Sequence, residues 1–376
     1  MLERIIEKLD APAFRQKYYK EYAQNNAPFW NRIDFQGKSA QGFVEFDGIK
    51  IENAKQNGLT IQEVDTKIEN MTSVNFDENR YGLDVFYQHE VYALHNQGFY
   101  LKVDKNIKLQ EPIYIEFELS EKNYQLLDLS IIEIEEGASA NIIVHYKSAD
   151  QSEVYKNSLL KVIAHPYADL KISRIQNLNL ESYNCDFTDF NVADNAAVKY
   201  YSAEFGAKVN VASSTSYLNG HRSVIETVPA YLADGERKVD LAYSVIFRGK
   251  QTEGQINGCG AVMDKAVKVF RGNIYFEKGS SGSLGREGSF DILLDKTIES
   301  HSIPTLFCDE DNVIGEHYAS VGKIDESKLM YLMSRGIPEK EARKVIVESS
   351  FRPILDNIDH ENTKNLLLQE LNQRIS

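Results

Sequence analysis

The chain has 376 residues, of which 42% are hydrophobic and 26% are charged, so it can bury a core and is not a disordered acidic tail. Its 56 acidic and 42 basic residues give a formal net charge of -14, which argues against nucleic acid or an anionic membrane as a partner. No stretch approaches the ~20 consecutive apolar residues that span a bilayer. The N-terminus lacks the apolar core of a signal peptide, and a cytoplasmic location is therefore expected.

Residues 1–92 are expected to form a helical or mixed N-terminal region. Four apolar residues share one helical face before Pro12 and predict a first helix: Leu2, Ile5, Ile6 and Leu9. A second short helix is predicted from about Ala13 to Ala23, followed by a loop around Trp30. Between that loop and about Tyr92 the pattern is mixed and predicts no particular element.

The sequence pattern of residues 93–322 predicts a long all-β core. Short runs rich in Val, Ile, Tyr and Phe recur, each ended by a turn rich in Gly, Asn or Asp, and no long amphipathic helix intervenes. The runs predict these strands: Pro112–Leu119, Leu127–Ile134, Ala140–Tyr146, Ser158–Ala164, Ala197–Phe205, Val239–Phe247 and Lys268–Phe276.

A weak internal repeat runs through this core. The segments 134–142, 164–170 and 192–198 each consist of a strand, a tight turn, a small residue and a strand, and they recur about every 28 residues. A later segment, 262–267, resembles them. A fixed period of this size indicates a β-solenoid, in which each coil buries its apolar face on its neighbours. A β-sandwich with similar turns is the alternative interpretation.

Residues 323–376 are expected to form a C-terminal helical domain. Asp325 is a predicted N-cap, and Gly336 would end that helix in the left-handed conformation. A second helix, with glutamates in its positive first turn, is expected to end near Arg352-Pro353. A last helix is predicted from about Glu361.

Two segments resemble nucleotide-binding motifs but lack residues that those motifs require. Gly37-Lys38-Ser39 resembles the end of a P-loop, but Arg32 stands where the first Gly is required, so a surface turn is expected. Gly279, Gly282 and Gly285 do not form a GxGxxG motif and predict a flexible loop between coils.

Cysteines and histidines offer few candidate metal ligands. Cys185, Cys259 and Cys308 are too scattered for a disulfide framework or a CxxC-type metal site, and Cys308 is expected to pack in the core. Glu316 precedes His317, which follows an acidic run. His317 is therefore either a metal ligand or proton shuttle, or a partly buried histidine with a hydrogen-bond partner.

Several segments of the chain are similar to one known family. The motifs, in order, are Lys268–Tyr275, Asp291–Asp295, Pro304–Ala319 and Leu329–Arg343, with a looser likeness over Gln97–Ile113 and Pro28–Trp30. These segments resemble the SufB/SufD family of iron–sulfur cluster assembly proteins. The resemblance implies a mainly β fold, a right-handed parallel β-helix core flanked by N-terminal and C-terminal helical regions, which agrees with the solenoid interpretation.

Within this family the chain resembles SufD more than SufB. SufB-like members carry a cysteine just after the Asp-Lys that corresponds to Asp295-Lys296, whereas this chain has Thr297-Ile298, and neither side chain replaces a soft thiolate for iron. SufD-like members contribute a histidine at the subunit junction, and His317 matches it. Gly315 and the segment Gly288-Ser289-Phe290 depart from the commoner SufD pattern.

The resemblance implies a scaffold rather than an enzyme. It implies pairing with a SufB-like subunit and docking of a SufC-type ABC ATPase on the C-terminal helices. An iron–sulfur cluster would be transient and shared at the subunit junction, with His317 and Glu316 as candidate residues, His317 as the candidate metal ligand, and no tightly bound cofactor. The candidate ATPase-binding residues are Leu329, Leu332, Arg335 and Glu341.

Three alternatives are left open. An inward-facing core stripe explains Leu329 and Leu332 as well as a docking surface does. A homodimer of this chain would replace the heterodimer. A carbohydrate-active β-helix enzyme would need clustered carboxylates with Arg or Lys on successive coils, and no such ladder is evident in the sequence.

Overall fold

A computed structural model describes residues 13–40, 42–64, 85–295 and 298–375. These residues contain the helices α1 (Ala13–Ala23), α2 (Val85–Leu94), α3 (Glu326–Ser334), α4 (Glu339–Leu355) and α5 (Glu361–Arg374). The strands are β1 (Phe29–Trp30), β2 (Phe35–Gln36), β3 (Ile49–Glu52), β4 (Leu59–Glu63), β5 (Phe99–Val103), β6 (Ile113–Leu119), β7 (Gln125–Ile134), β8 (Ser139–Ser148), β9 (Tyr155–Ala164), β10 (Asp169–Asn177), β11 (Tyr183–Val192), β12 (Ala197–Glu204), β13 (Val209–Leu218), β14 (Val224–Ala233), β15 (Lys238–Phe247), β16 (Glu253–Val262), β17 (Val267–Phe276), β18 (Leu284–Leu293), β19 (Glu299–Cys308) and β20 (Ile314–Lys323).

Strands β5 to β20 wind into a parallel β-solenoid of about 8 turns, which confirms the predicted fold and shows that the sandwich interpretation was wrong. Each coil contributes one strand to each of two 9-stranded sheets. Sheet I has the order β20-β18-β16-β14-β12-β10-β8-β6-β3, and sheet II has the order β19-β17-β15-β13-β11-β9-β7-β5-β4. The seven predicted strand runs correspond to β6, β7, β8, β9, β12, β15 and β17.

The sequence repeat corresponds to one corner of the solenoid, where the chain passes from sheet II to sheet I. At the equivalent position of each turn one residue has a positive φ: Gly137, Tyr167, Asn195, Arg222, Gln251 and Gly282. The backbone N–H of each donates to a carbonyl in the turn of the next coil, as Tyr167 does to Asp194 at 2.9 Å. The segment 262–267 lies at the opposite corner, so it is not a further copy of this turn.

From β6 to β17 most residues of both sheets are buried on either face, which explains the near-continuous apolar strands. Inward-facing residues stack coil on coil in the lumen, as Ala140, Leu170 and Val198 do in sheet I. Helices α1 and α2 cover the outer face of sheet II. Helices α3, α4 and α5 cover the outer face of sheet I, where the rings of Phe351 and Phe205 lie 5.4 Å apart.

The helices agree with those predicted from the sequence, except for one helix that is buried on all sides. The predicted helix Ala13–Ala23 is confirmed as α1, whereas the predicted first helix, before Pro12, lies outside the described residues. Helix α2 was not predicted because it is buried on every side and so shows no polar face at the helical period. The N-cap is confirmed, since Asp325 accepts a hydrogen bond from Ser327 N at 2.9 Å. Helix α4 runs past Pro353 to Leu355, beyond its predicted end.

No helix in the described part of the chain is long and apolar enough to cross a membrane.

An ion pair fastens the end of α5 to the solenoid and predicts a pH-dependent stability. Arg374 Nε donates to Asp234 Oδ2 at 2.8 Å, and Arg237 Nη1 lies 3.3 Å from Oδ1 of the same carboxylate. Burial alone would raise the pKa of Asp234, but hydrogen bonds and charges from Arg374 and Arg237 hold that pKa below its usual 3.8. Because the pKa is lower in the folded state, this stabilisation is present above the unfolded pKa of about 4 and is lost as the pH falls below that value and through the lower folded pKa.

We expect Arg374→Ala to lower the free energy of unfolding by about 1–3 kcal/mol at pH 7, the worth of a hydrogen bond to a charged group. The difference from the wild type should shrink below pH 4, as urea denaturation at both pH values would measure. Arg343→Ala, which breaks an exposed pair with Glu339 on α4, should cost at most about 0.5 kcal/mol. Equal losses for the two variants would contradict the prediction.

Candidate functional site

The two ends of the solenoid differ. At the N-terminal end, β3 and β4 close the two sheets as antiparallel strands. At the other end, β19 and β20 form a last coil on which no described strand packs. Four large apolar side chains of this coil are 44–60% exposed: Phe307, Ile314, Tyr318 and Val321. Because terminal repeats and edge strands are normally protected, this uncovered last coil is the candidate interaction site.

Strand β20 sends the two predicted junction residues to opposite faces. The Glu316 carboxylate points outward and binds Arg286 of β18, with Nε and Oε2 3.0 Å apart. His317 points to the lumen side, where it lies in register with Glu287 of β18. Glu316 is therefore not a partner of His317. His317 is exposed at the mouth of the lumen, so the interpretation as a partly buried histidine is not supported.

Glu287 is a candidate residue that the sequence analysis missed. It is 1% exposed, and it lies across the lumen against Gly272, where a Cβ atom would come within 2.4 Å of Glu287 Oε1. Its Oε2 atom has no hydrogen-bond partner among the described residues. Burial raises the pKa of Glu287 to about 7. In the sequence, Glu287 is distinguished only by lying one coil before His317. That relation can be recognised only once the register between the coils is known.

The three cysteines divide into two kinds. Cys185 lies under the N-terminal helices and Cys259 under the C-terminal helices, and burial raises the pKa of both thiols, that of Cys259 to about 12. These thiols stay protonated and are poor metal ligands. Cys308 is exposed at the end of β19, so the expectation that it packs in the core was wrong.

The predicted ATPase-binding residues occupy different environments. Leu329 is buried in the cluster between α3–α5 and sheet I, and Leu332 is half-buried against it, so the core-stripe interpretation explains both. Arg335 and Glu341 are exposed. The exposed apolar residues of these helices are Met330, Tyr331, Met333 and Val345. Sequence periodicity alone did not distinguish the buried positions from the exposed ones.

A group of metal-type ligands also lies near the first coils. The ligand atoms of Glu133, Glu135 and His165 lie within 4.8 Å of one another. Lys102 binds Glu135 at 2.6 Å, and His165 Nε2 lies 2.8 Å from Glu133. Tyr100 donates a further hydrogen bond to Glu133. These contacts account for the cluster as a network of ion pairs and hydrogen bonds.

Comparisons with known proteins agree with this architecture. The family model for the SufBD core domain, described as SUF system FeS cluster assembly, matches residues 117–350. The iron–sulfur cluster assembly protein SufD of Bacillus subtilis is 26% identical over 298 residues, which cover 77% of this chain and 67% of that protein. A SufBD family protein of Staphylococcus saprophyticus is 28% identical over 274 residues, covering 72% of this chain and 58% of that protein.

The relatives are longer than the matched part of this chain. A SufBD family protein of Staphylococcus epidermidis is 27% identical over 274 residues, and the match again spans 58% of its length. The family model nevertheless covers well over half of this chain, from β6 into α4. The chain therefore belongs to the SufBD family of the SUF system for iron–sulfur cluster assembly, and it is closer to SufD.

Proposed function

We propose that the chain is a SufD-like scaffold subunit, without catalytic residues of its own, that pairs through its last coil with a SufB-like subunit and binds a SufC-type ABC ATPase through α3 and α4. The uncovered last coil carries this proposal, because a terminal coil with exposed apolar side chains requires a covering partner. The iron–sulfur cluster would be cargo that forms transiently at the junction, with His317 as one ligand. No resident cofactor is part of the proposal.

The ATPase would bind a surface that we name the α3–α4 patch. Its apolar centre is 42–70% exposed and consists of Met330, Tyr331, Met333 and Val345. Its rim is charged, with the Arg335 guanidinium 5.2 Å from the Tyr331 ring centroid and Glu341 exposed on α4. An apolar centre rich in Met and Tyr with a polar rim is typical of protein interfaces. This patch replaces the buried Leu329 as the candidate contact.

We expect the full chain to co-purify with its cognate SufC-type ATPase, and Met330→Asp to abolish that complex. A charge at the centre of the patch would have to be desolvated on binding, whereas Met330 is 70% exposed and its replacement leaves the fold intact. Light scattering of the mixture measures the complex, and the melting temperature checks folding. Leu332→Asp is a poorer test, because Leu332 packs against the core and its loss would also unfold the helices.

The matched control is Tyr167→Asp. Tyr167 is 63% exposed in a solenoid turn, and aspartate tolerates its positive φ. This variant should bind the ATPase like the wild type. A well-folded Met330→Asp variant that still binds would contradict the proposed surface, and a folded wild type that never binds would contradict the scaffold proposal.

A homodimer is the second candidate, because the same uncovered coil would be covered by a second copy of this chain. Light scattering of the chain alone distinguishes the two assemblies. A stable dimer without any SufB-like protein would favour the homodimer.

A further inference from the structure

One buried carboxylate of the lumen, that of Glu287, has no counter-charge in the described part of the chain. Asp291, on the same face of the same strand, binds Lys268. Glu287 is as deeply buried, but its carboxylate is directed across the lumen at Gly272, and its Oε2 has no hydrogen-bond partner among the described residues. Burial raises the pKa of Glu287 to about 7, and no nearby cation or donor offsets that effect.

A second oxygen without a partner lies beside this carboxylate. Ser289 follows Glu287 on the inward face of β18, and its buried hydroxyl has no hydrogen-bond partner among the described residues either. Buried polar atoms in proteins nearly always have a partner, and one that lacks it needs an explanation. Two such oxygens side by side indicate a site that is completed by a group from outside this chain.

The site lies one coil from the uncovered end of the solenoid. The register partners of Glu287 and Ser289 on β20 are His317 and Ala319, and both of these are exposed. Neighbouring strands of a sheet lie about 4.8 Å apart. The side chains of a single coil therefore separate the two oxygens from any subunit that covers this end.

We propose that a lysine side chain of the subunit covering the last coil enters the lumen and binds Glu287 and Ser289. This inference rests on the proposed pairing with a SufB-like subunit and specifies the chemistry of one contact in it. No described side chain holds the Glu287 carboxylate in place, so it can turn from Gly272 toward the entering ammonium group.

Lysine is the cation that this lumen already uses for buried carboxylates. Lys268 binds Asp291, and Lys156 Nζ lies 2.5 Å from Asp186 Oδ2. A lysine carries a compact charge on a flexible stem, which suits entry through the open end of a narrow lumen. Its three N–H donors suffice for a carboxylate and a hydroxyl together.

Glu287→Gln should weaken the complex with the SufB-like subunit by at least about tenfold, as surface plasmon resonance at physiological salt would measure. The loss should appear chiefly as faster dissociation, because removing one partner of a buried charge pair changes the dissociation rate, whereas a charge at the rim changes the association rate. Ser289→Ala should weaken the complex less, since a hydrogen bond to a neutral hydroxyl contributes less than one to a carboxylate.

Two controls separate this contact from a role in folding. Glutamine has nearly the shape of glutamate and removes an unpaired buried carboxylate, so the isolated Glu287→Gln variant should melt no lower than the wild type at pH 8. The matched variant is Glu204→Gln, which changes a buried lumen carboxylate of β12, three coils further from the open end. Glu204→Gln should bind the SufB-like subunit as the wild type does.

A double-mutant cycle identifies the lysine. Each lysine in the last coil of the SufB-like subunit is replaced by methionine, one at a time, and each variant is mixed with the wild-type chain and with Glu287→Gln. One replacement should weaken binding to the wild type by at least about tenfold and weaken binding to Glu287→Gln much less, because the two residues act as a pair.

The lysine contact and the proposed pairing fail separately. A folded Glu287→Gln variant that binds the SufB-like subunit as tightly as the wild type would overturn the lysine contact alone. Losses that simply add to that of Glu287→Gln for every lysine would do the same. A folded wild type that does not bind the SufB-like subunit would overturn the pairing, and the lysine contact with it.

Discussion

Asp186→Ala is expected to lower the free energy of unfolding by about 3–5 kcal/mol, the cost of leaving buried charges without their partner. Asp186 of β11 faces the lumen and joins two cations, with Oδ1 2.5 Å from Arg174 and Oδ2 2.5 Å from Lys156. The Lys156 side chain is fully buried and that of Arg174 is 2% exposed. Removing the carboxylate would take the nearest anion from both.

The effect would not stay local, because Asp186 lies in the middle of a polar network that follows the lumen axis. The contacts run in this order: Asp128, Tyr146, Ser158, Arg174, Asp186, Lys156, Asn184, Asn210 and Glu204. Burial raises the pKa of the terminal Glu204 and lowers that of Lys156. The hydrogen bonds and ion pairs of the network offset this cost of burial, which is the condition for keeping polar groups in a dry interior.

Urea denaturation measures the loss, and two further variants test its cause. Adding Lys156→Met to Asp186→Ala should recover part of the stability, because one orphaned cation is removed with the anion. Asp169→Ala, on the exposed end of β10, should change the free energy of unfolding by no more than about 0.5 kcal/mol. A loss near that value for Asp186→Ala would mean that the two cations find other partners.

The fold could be predicted where local chemistry fixes it. The turn repeat was visible because each copy has a small residue after a tight turn, where Ala138, Ala168 and Ala196 are buried, and the cap of α3 was visible because Asp325 is a good N-cap. What could not be predicted depends on neighbours distant in sequence. Leu329 and Met330 are adjacent apolar residues, and only the packing of α3 decides which of them is buried.

The candidate site also depends on neighbours that are distant in sequence. His317 was found through a family resemblance, and its sequence neighbour Glu316 was expected to support it. The pleat of β20 turns Glu316 to the opposite face, and the stacking of coils brings Glu287 beside His317 instead. The weak repeat in the sequence did not fix the register between these coils, so the position of Glu287 next to His317 could not be predicted.

Charges placed on the last coil are expected to weaken pairing strongly. We predict that Phe307→Asp with Tyr318→Asp weakens the complex with a SufB-like partner by about 10²–10³-fold, since buried aromatic contacts at interfaces are worth about 2 kcal/mol or more each. Both side chains are more than half exposed in the isolated chain, at 57% and 60%, so the variant should fold normally. Sedimentation velocity of the mixed subunits measures the complex, and circular dichroism checks the fold.

The control for this double variant must carry the same added charge on another exposed apolar pair. Tyr124→Asp with Leu180→Asp meets that condition, because these side chains are 39% and 45% exposed on turns away from the last coil. Equal weakening by both double variants would attribute the loss to net charge, since the chain is already strongly acidic. Loss confined to the last-coil variant would mean that the partner completes the solenoid where β19 and β20 leave it open.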